Sequence, residues 1–288
     1  MGPLLFAIML IASPLALARS LDPAAEARAD EAPSLLSEQD REHYRALVED
    51  LAEAALSEDI GPALFERAAR LGLALSHRGE ILELRPRDPQ QGAVGVLLLR
   101  TGPLPAEVVL AAPHPFDDLR TGSIAWLSFE HAPLRALFVA TQSRHASDRA
   151  DPTRNPLSTL QILTEVLAER LEMPWFVQVH GFSPSTSPVS AVISGGSSST
   201  PLAILEGCAD TLSAIVGGAD VQTGRRVPQL AALQNLQGNY LRDRARFVHI
   251  ELGRDLRAEL EANPAWCADL GESMVNMAQA DKNDWGLR

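Results

Sequence analysis

Cysteine is scarce in this chain of 288 residues, which contains only two, Cys208 and Cys267. Two cysteines so far apart are too few for a zinc site built on thiolates. In an exported protein they can form one disulfide, and in any protein they can be two small buried hydrophobic residues. Nothing in their spacing selects one of these interpretations.

Positive charge is also scarce, with 25 Lys and Arg against 37 Asp and Glu and a formal net charge of −12. A polyphosphate partner requires clustered Lys and Arg, and the sequence has no such cluster. We therefore expect no nucleic-acid partner. The Gly-x-Ser-x-Gly and Walker patterns are absent too, so serine hydrolase and nucleotide-binding functions have no support.

Long apolar runs are limited to one, Leu4 to Leu17, which ends in the small-x-small pattern Ala16-Leu17-Ala18. This pattern predicts a signal peptide over 1–18. A membrane anchor is the weaker interpretation, because Pro14 interrupts the run and about 20 apolar residues are needed to span a bilayer. Residues 19–36 are rich in Ala, Asp and Glu and predict a flexible leader, which leaves 37–288 as a single α/β hydrolase-type domain.

Strands and helices alternate along this domain. The apolar patterns predict strands over 81–84, 94–99, 108–112, 136–140, 175–179, 189–193 and 247–252. They predict helices over 37–56, 62–73, 123–130, 157–171, 201–215, 255–261 and 267–280. Such alternation is typical of an α/β fold with a mostly parallel mixed sheet covered by helices. The loop 141–161 is long for a compact domain, which favours a binding role.

One apolar run, Val108 to Ala112, ends abruptly in His114, Asp117 and Asp118. Pro113 and Pro115 prevent further ladder pairing, so His114 lies on the first turn beyond the sheet. A second run, 175–179, leads directly into His180. A catalytic zinc needs three N or O ligands and an open position, and we predict His114, His180 and either Asp117 or Asp118 as ligands. A structural hydrogen bond between His114 and an aspartate is the alternative.

Glu251 lies inside the apolar strand FVHIEL, where a carboxylate is costly unless it has a role. It is the candidate general base, and an ion pair with Arg254 is the structural alternative. His249 shares its face by strand alternation. In the loop, Arg144 and Arg154 are candidate anchors for a substrate carboxylate, and Arg144 is also a candidate catalytic residue; a solvated surface charge is the alternative.

Three segments resemble the zinc carboxypeptidase-like amidohydrolases, a group that includes aspartoacylase, N-formylglutamate amidohydrolase and poly-gamma-glutamate hydrolase. They are PHPFDDLRTGSIA, VQVHGF and NYLRDRARFVHIELGRDLR. The resemblance, which runs from about residue 94 to 260, implies a three-layer α/β/α fold with zinc held by His, an acidic residue and His. These roles fall on His114, Asp118 and His180, with Glu251 as general base. Asp118 is favoured because it stands three residues before Thr121, as in the hydrolase relatives, whereas Asp117 fits the spacing of the carboxypeptidases.

The sequence therefore predicts an exported, periplasmic or extracellular, zinc-dependent hydrolase. We expect it to cleave an amide or peptide bond in a small-molecule or peptide substrate that carries a carboxylate, and to have no membrane association after signal cleavage. The alternative is a catalytically silent binding protein on the same fold.

Overall fold

The computed structural model describes residues 37–87 and 95–285, without the side chains of 284 and 285. The predicted signal peptide and leader lie outside these residues, as do part of the turn after the second strand and the start of the strand predicted at 94. The domain limits stay a prediction. Among the described helices none combines the length and the apolar character needed to cross a membrane.

The described residues form eight α-helices and nine strands. The helices are α1 Glu38–Ser57, α2 Pro62–Arg70, α3 Thr121–His131, α4 Thr159–Arg170, α5 Leu202–Ile215, α6 Leu236–Tyr240, α7 Arg254–Ala262 and α8 Pro264–Trp285. The strands are β1 Leu73–Arg78, β2 Ile81–Pro86, β3 Val96–Arg100, β4 Val108–Ala112, β5 Ala136–Val139, β6 Trp175–Phe182, β7 Ala191–Ser194, β8 Val221–Thr223 and β9 Arg246–Gly253.

All nine strands belong to one sheet, in the order β1-β2-β3-β5-β4-β6-β9-β7-β8. The central strands β5, β4, β6 and β9 are mutually parallel, and β7 is parallel to β8. The pairs β1–β2, β2–β3, β3–β5 and β7–β9 are antiparallel. The predicted mixed sheet is thus confirmed, with four parallel strands at its centre, antiparallel pairs on both sides of them and one parallel pair, β7–β8, at an edge.

Helices cover both faces of the sheet, which confirms the three-layer α/β/α fold. One hydrophobic core joins a face of the central strands to α3, α5, α7 and α8. A second core joins the opposite face to α1, α2 and α4. Because β4 is covered on both faces, all five residues of VVLAA are buried, as a central parallel strand requires.

Several boundaries differ from those predicted. The second helix was expected to reach 73, but it ends at Arg70 because Gly72 adopts φ 72°, a left-handed conformation that stops a helix. The edge strands β1 and β8 and the short helix α6 were not predicted. Each lacks a strong apolar period, and its structure depends on neighbouring elements.

Both cysteines are free thiols in this structure, which favours the interpretation as hydrophobic residues. Cys267 is fully buried in the core that contains α8, and its Sγ lies 3.3 Å from the carbonyl oxygen of Leu260. Burial raises the pKa of both thiols to about 12, so neither is a reactive thiolate at neutral pH.

Candidate metal centre

The carboxyl ends of three adjacent parallel strands bring the predicted site residues together. β4, β6 and β9 are neighbours in the sheet, and His180 on β6 pairs in register with Glu251 on β9. His114 follows β4 directly after Pro113. In open α/β sheets this edge is where ligands bind.

A tight turn after β4 aims His114 and Asp118 in one direction. The backbone N–H groups of Asp117 and Asp118 both donate to the carbonyl oxygen of His114, at 3.1 and 2.7 Å. The turn places the side chains four residues apart on one side, and both are buried. Asp118 Oδ2 lies 3.5 Å from His114 Nδ1 and 3.5 Å from His180 Nδ1, and the two Nδ1 atoms are 3.2 Å apart.

This triangle of two nitrogens and one oxygen fits a zinc ion. With bonds of roughly 2.0–2.1 Å, two ligands of a tetrahedral zinc are about 3.3 Å apart, close to the three distances observed here. The donor types, two imidazoles and a carboxylate, are those of catalytic zinc sites. These three residues are therefore a candidate metal-binding set.

The second nitrogen of each histidine has its own partner. His114 Nε2 lies 2.9 Å from Asp151 Oδ1, and His180 Nε2 lies 3.2 Å from Gln178 Oε1. Both partners can accept a hydrogen bond, so a proton on Nε2 of either ring would be bonded there and would leave the lone pair of Nδ1 available to a metal ion. Histidines that bind metals are held in this way, and such partners tune the affinity.

The electrostatics of the cluster follow from burial and these contacts. Burial acts to raise the pKa of Asp118, but His114 and His180 outweigh it and hold that pKa below its usual range. Burial acts to lower the pKa of His114, and Asp118 and Asp151 together raise it. Burial lowers the pKa of His180, which lacks a second carboxylate. Asp118 is therefore ionised and available as a ligand at neutral pH.

Glu251 lies beside this set and is poorly solvated. Burial, reinforced by the negative charge of Asp118, raises the pKa of its carboxyl group to about 8. Its Oε1 is 3.8 Å from His249 Nε2, and its buried Oε2 has no hydrogen-bond partner in the described part of the chain. Between residues 95 and 285 no ion pair joins it to Arg254, the structural alternative. An unpaired buried carboxylate of this kind is typical of a catalytic group.

His180, His249 and Glu251 form a second possible metal-binding group. The rings of His180 and His249 stack with centroids 4.4 Å apart. The second group shares His180 with the first group, and in this structure His180 Nδ1 lies 3.5 Å from Asp118 Oδ2 and its Nε2 lies 3.2 Å from Gln178 Oε1. The first group is therefore the better candidate.

Asp117, the alternative ligand, does not contact the ring of His114 or of His180. Its Oδ1 accepts from Ser143 Oγ at 2.9 Å and its Oδ2 from the backbone N–H of Arg144 at 3.0 Å. Its carboxylate instead anchors the start of the loop 141–158. Adjacent aspartates in one turn point in different directions, and the one that faces His114 and His180 is Asp118, which the resemblance favoured.

The two predicted anchor arginines differ in position. Arg144 reaches the cluster, with Nη1 at 3.3 Å from His114 Nδ1 and Nη2 at 3.7 Å from Asp118 Oδ1. The Arg154 side chain is 69% exposed, and its Nε lies 3.8 Å from the outer oxygen of Asp151. Arg144 therefore contacts the proposed metal ligands directly, whereas Arg154 contacts Asp151, which in turn contacts His114.

Sequence reasoning did not identify Asp151, Gln178 or Arg257 as residues of the site. Asp151 precedes Pro152 in a loop that holds one other aspartate, Asp148, and no local pattern assigned Asp151 to the site. The Arg257 guanidinium packs over Gly181, where an added Cβ would lie 1.8 Å from Nη1, and it donates to the carbonyl oxygen of Leu252 at 2.6 Å. It thereby links the ends of β6 and β9. The available signal was its place in GRDLR, at the end of a segment on which the family resemblance rests.

The fold and the cluster together define a three-layer α/β protein with a candidate metal centre at the carboxyl ends of its central strands. No protein-family model matches the sequence. A separate search of curated proteins finds no match either. Solved structures do resemble it.

One similar structure is N-formylglutamate amidohydrolase from Ralstonia eutropha JMP134, at 12% identity and TM-score 0.44, covering 66% of this chain and 99% of that one. Another is gene product Atu2144 from Agrobacterium tumefaciens, at 16% identity and TM-score 0.42, covering 64% and 92%. A third is the N-acetylmuramoyl-L-alanine amidase AmiC2 of Nostoc punctiforme, at 13% identity and TM-score 0.36, covering 63% and 99%. The function proposed below rests on the side chains of this chain.

Proposed function

We propose that this chain is an exported zinc-dependent hydrolase that cleaves an amide or peptide bond in an acidic or carboxylate-bearing substrate. The observation that carries the proposal is the triangle of His114 Nδ1, His180 Nδ1 and Asp118 Oδ2, with edges of 3.2 to 3.5 Å. His114, Asp118 and His180 would hold the zinc ion. A zinc ion in such a site lowers the pKa of its water to about 7 and polarises a carbonyl group.

Glu251 would act as the general base. Its unpaired Oε2 is free to accept a proton from the attacking water and to pass it to the nitrogen of the leaving amine. The raised pKa, about 8, supports this role, because a base is most effective when its pKa lies near the working pH. Burial of the carboxylate excludes bulk water that would otherwise compete for the proton.

Arg144 would bind the substrate. Its guanidinium lies within 3.3 Å of the His114 ring and has several donors that can bind a carbonyl oxygen or a carboxylate of the substrate. Arg154, which is exposed, would attract an acidic substrate to the mouth of the site. These two charges are the basis for proposing a carboxylate-bearing substrate.

Export to the periplasm or the extracellular space, with the signal segment removed, is part of the same proposal. The apolar run Leu4 to Leu17 and the Ala16-Leu17-Ala18 pattern support it. A small molecule or a peptide is the proposed partner, and neither nucleic acid nor a membrane is proposed as one.

Metal analysis combined with an active-site variant tests the proposal. We expect about one zinc ion per purified chain, and hydrolysis of at least one member of a panel of acyl-amino acids, short peptides and gamma-linked glutamyl polymers. Glu251→Gln is expected to retain zinc and to lower kcat by at least about a hundredfold, as removal of a general base does. Glu259→Gln, an exposed glutamate on α7, is the matched control. Absence of zinc, or full activity in Glu251→Gln, would defeat the proposal.

The second candidate is a silent binding protein on the same fold, and His114→Ala separates the two. A silent protein should keep its ligand affinity in that variant, whereas the enzyme should lose zinc and activity together. His43→Ala, on the exposed side of α1, is the matched control.

A further inference from the structure

Four buried carboxamides form a continuous hydrogen-bonded chain behind His180. They are Gln161, Gln178, Asn235 and Gln237, each at most 6% exposed. Gln237 Nε2 donates to Gln161 Oε1 at 2.9 Å, and Gln178 Nε2 donates to Gln237 Oε1 at 3.1 Å. Asn235 Nδ2 donates to Gln178 Oε1 at 2.7 Å. Buried amides of this number are costly unless the whole network is satisfied, so their arrangement calls for a physical reason.

At one end of this carboxamide chain, groups that can only accept hydrogen bonds fix the orientation of the amides. Gln237 Nε2 also donates to the carbonyl oxygen of Pro152 at 3.1 Å, and Gln161 Nε2 donates to the Glu165 carboxylate at 3.0 Å. A carbonyl or carboxylate oxygen cannot donate, so the nitrogen of each of these amides must face it. Gln237 therefore has to present its oxygen to Gln178.

At the other end, a group that can only donate a hydrogen bond fixes the orientation of Asn235. Asn235 is the N-cap of α6, and its Oδ1 accepts from the backbone N–H of Gly238 at 3.0 Å. The nitrogen of Asn235 must therefore face Gln178. Both ends impose the same orientation on Gln178, whose oxygen is left to accept from Asn235 and from His180 Nε2 at 3.2 Å.

We propose that this carboxamide chain is a positioning device that fixes the proton of His180 on Nε2 and so keeps Nδ1 unprotonated for a metal ion. The proposal rests on the metal site proposed above, and it explains why His180 would carry its proton on Nε2. With an oxygen of Gln178 opposite Nε2, a His180 ring that carried its proton on Nδ1 would leave two buried acceptors facing each other, which is unfavourable.

One loop serves both histidines. Asp151 accepts from His114 Nε2, and the carbonyl oxygen of the next residue, Pro152, polarises the chain that ends on His180. A movement of this loop would release both rings together. We class Gln178, Asn235 and Gln237 as positioning residues, because they would act on the metal ion only through His180.

The tautomer can be measured directly in metal-free protein by long-range ¹H–¹⁵N NMR of the histidine rings at pH 8. In the wild type we expect His180 to carry its proton on Nε2. In Gln178→Leu the acceptor is lost, and the proton should move at least partly to Nδ1, where Asp118 Oδ2 lies 3.5 Å away. Gln178→Glu keeps an oxygen opposite Nε2, and a proton on its other oxygen replaces the donor to Gln237 Oε1, so this variant should retain the wild-type tautomer.

Zinc affinity, measured by competition with a chelator, gives the second readout. Loss of such a partner typically weakens metal binding about 10- to 100-fold, which we expect for Gln178→Leu but not for Gln178→Glu. Gln279→Leu removes an amide that donates to Asn283 on α8, away from the metal site, and is the matched control; it should bind zinc as the wild type does.

Two results would overturn the proposal: a wild-type His180 with its proton on Nδ1, or a Gln178→Leu variant that retains the Nε2 proton, whatever its zinc affinity. The wild-type measurement decides the question even if Gln178→Leu fails to fold. Neither readout uses a substrate. A protein that hydrolyses nothing would therefore defeat the proposed function and leave this inference standing.

Discussion

The buried carboxylate of Glu251 makes the stability of the metal-free protein depend on pH in a way that one substitution should remove. Burial and the charge of Asp118 raise its pKa from 4.5 to about 8 in the folded state. The folded protein therefore binds the proton of Glu251 more tightly than the unfolded chain does. The resulting contribution to the free energy of unfolding is fully present below pH 4.5, and it is lost as the pH rises through 8.

The size of the effect follows from the shift. Each pKa unit corresponds to about 1.4 kcal/mol, so a shift of this size amounts to roughly 5 kcal/mol across the window. Glutamine has nearly the same shape as glutamate, and its side chain does not titrate. In Glu251→Gln this contribution should be independent of pH, so the variant should become progressively more stable than the wild type between pH 4.5 and 8.

Urea denaturation of chelator-treated wild type and Glu251→Gln at half-unit steps of pH measures the difference. His114, Asp118 and Asp151 titrate in both proteins, so their contributions cancel to a first approximation. Glu259→Gln should follow the wild type at every pH. Parallel stability profiles for wild type and Glu251→Gln would refute the reasoning, because they would show that Glu251 is ionised at little cost in the folded state.

Two further substitutions test contacts around the site. Asp151→Asn removes the charge behind His114 and should weaken zinc binding by about 10- to 100-fold in a chelator competition, with little change in the melting temperature. Gly181→Ala places a Cβ 1.8 Å from Nη1 of Arg257, which must leave its carbonyl partners, and should lower the free energy of unfolding by about 1–3 kcal/mol in urea denaturation.

Each substitution has a control in the same chain. Asp148→Asn changes an exposed aspartate of the same loop and should leave zinc affinity unchanged. Gly61→Ala adds a methyl group at a position with nothing within 4 Å and should have a much smaller effect on stability than Gly181→Ala. Equal effects in a variant and its control would contradict the corresponding prediction.

The strong periodic patterns predicted the central elements well. The run Val108 to Ala112 is the strand β4, and the predicted ends of 175–179 and 247–252 fall within β6 and β9. These strands are buried on both faces, so their apolar character is visible in the sequence. The edge strands β1 and β8 are partly exposed and carry a mixture of residue types, so local patterns do not reveal them.

The proposed metal ligands were predictable as residue types at strand ends, because proline stops ladder pairing after β4 and parallel strands end at one edge of a sheet. Only the resemblance to the hydrolases favoured Asp118, and the residues alone left the choice between Asp117 and Asp118 open. It depends on the turn that begins at His114 and on the loop whose Ser143 and Arg144 bind Asp117. That loop approaches the turn only in the folded chain.

By itself, the sequence determined the alternation of strands and helices, the burial of the central strands and the presence of two histidines and a glutamate where those strands end. These properties follow from apolar periodicity and from proline, which act over a few residues. Only the tertiary structure decided which oxygen and nitrogen atoms face one another, because Asp151, Gln178 and Asn235 reach the histidines from distant segments. Hydrogen bonds between such segments depend on distances that folding sets and that residue spacing does not encode.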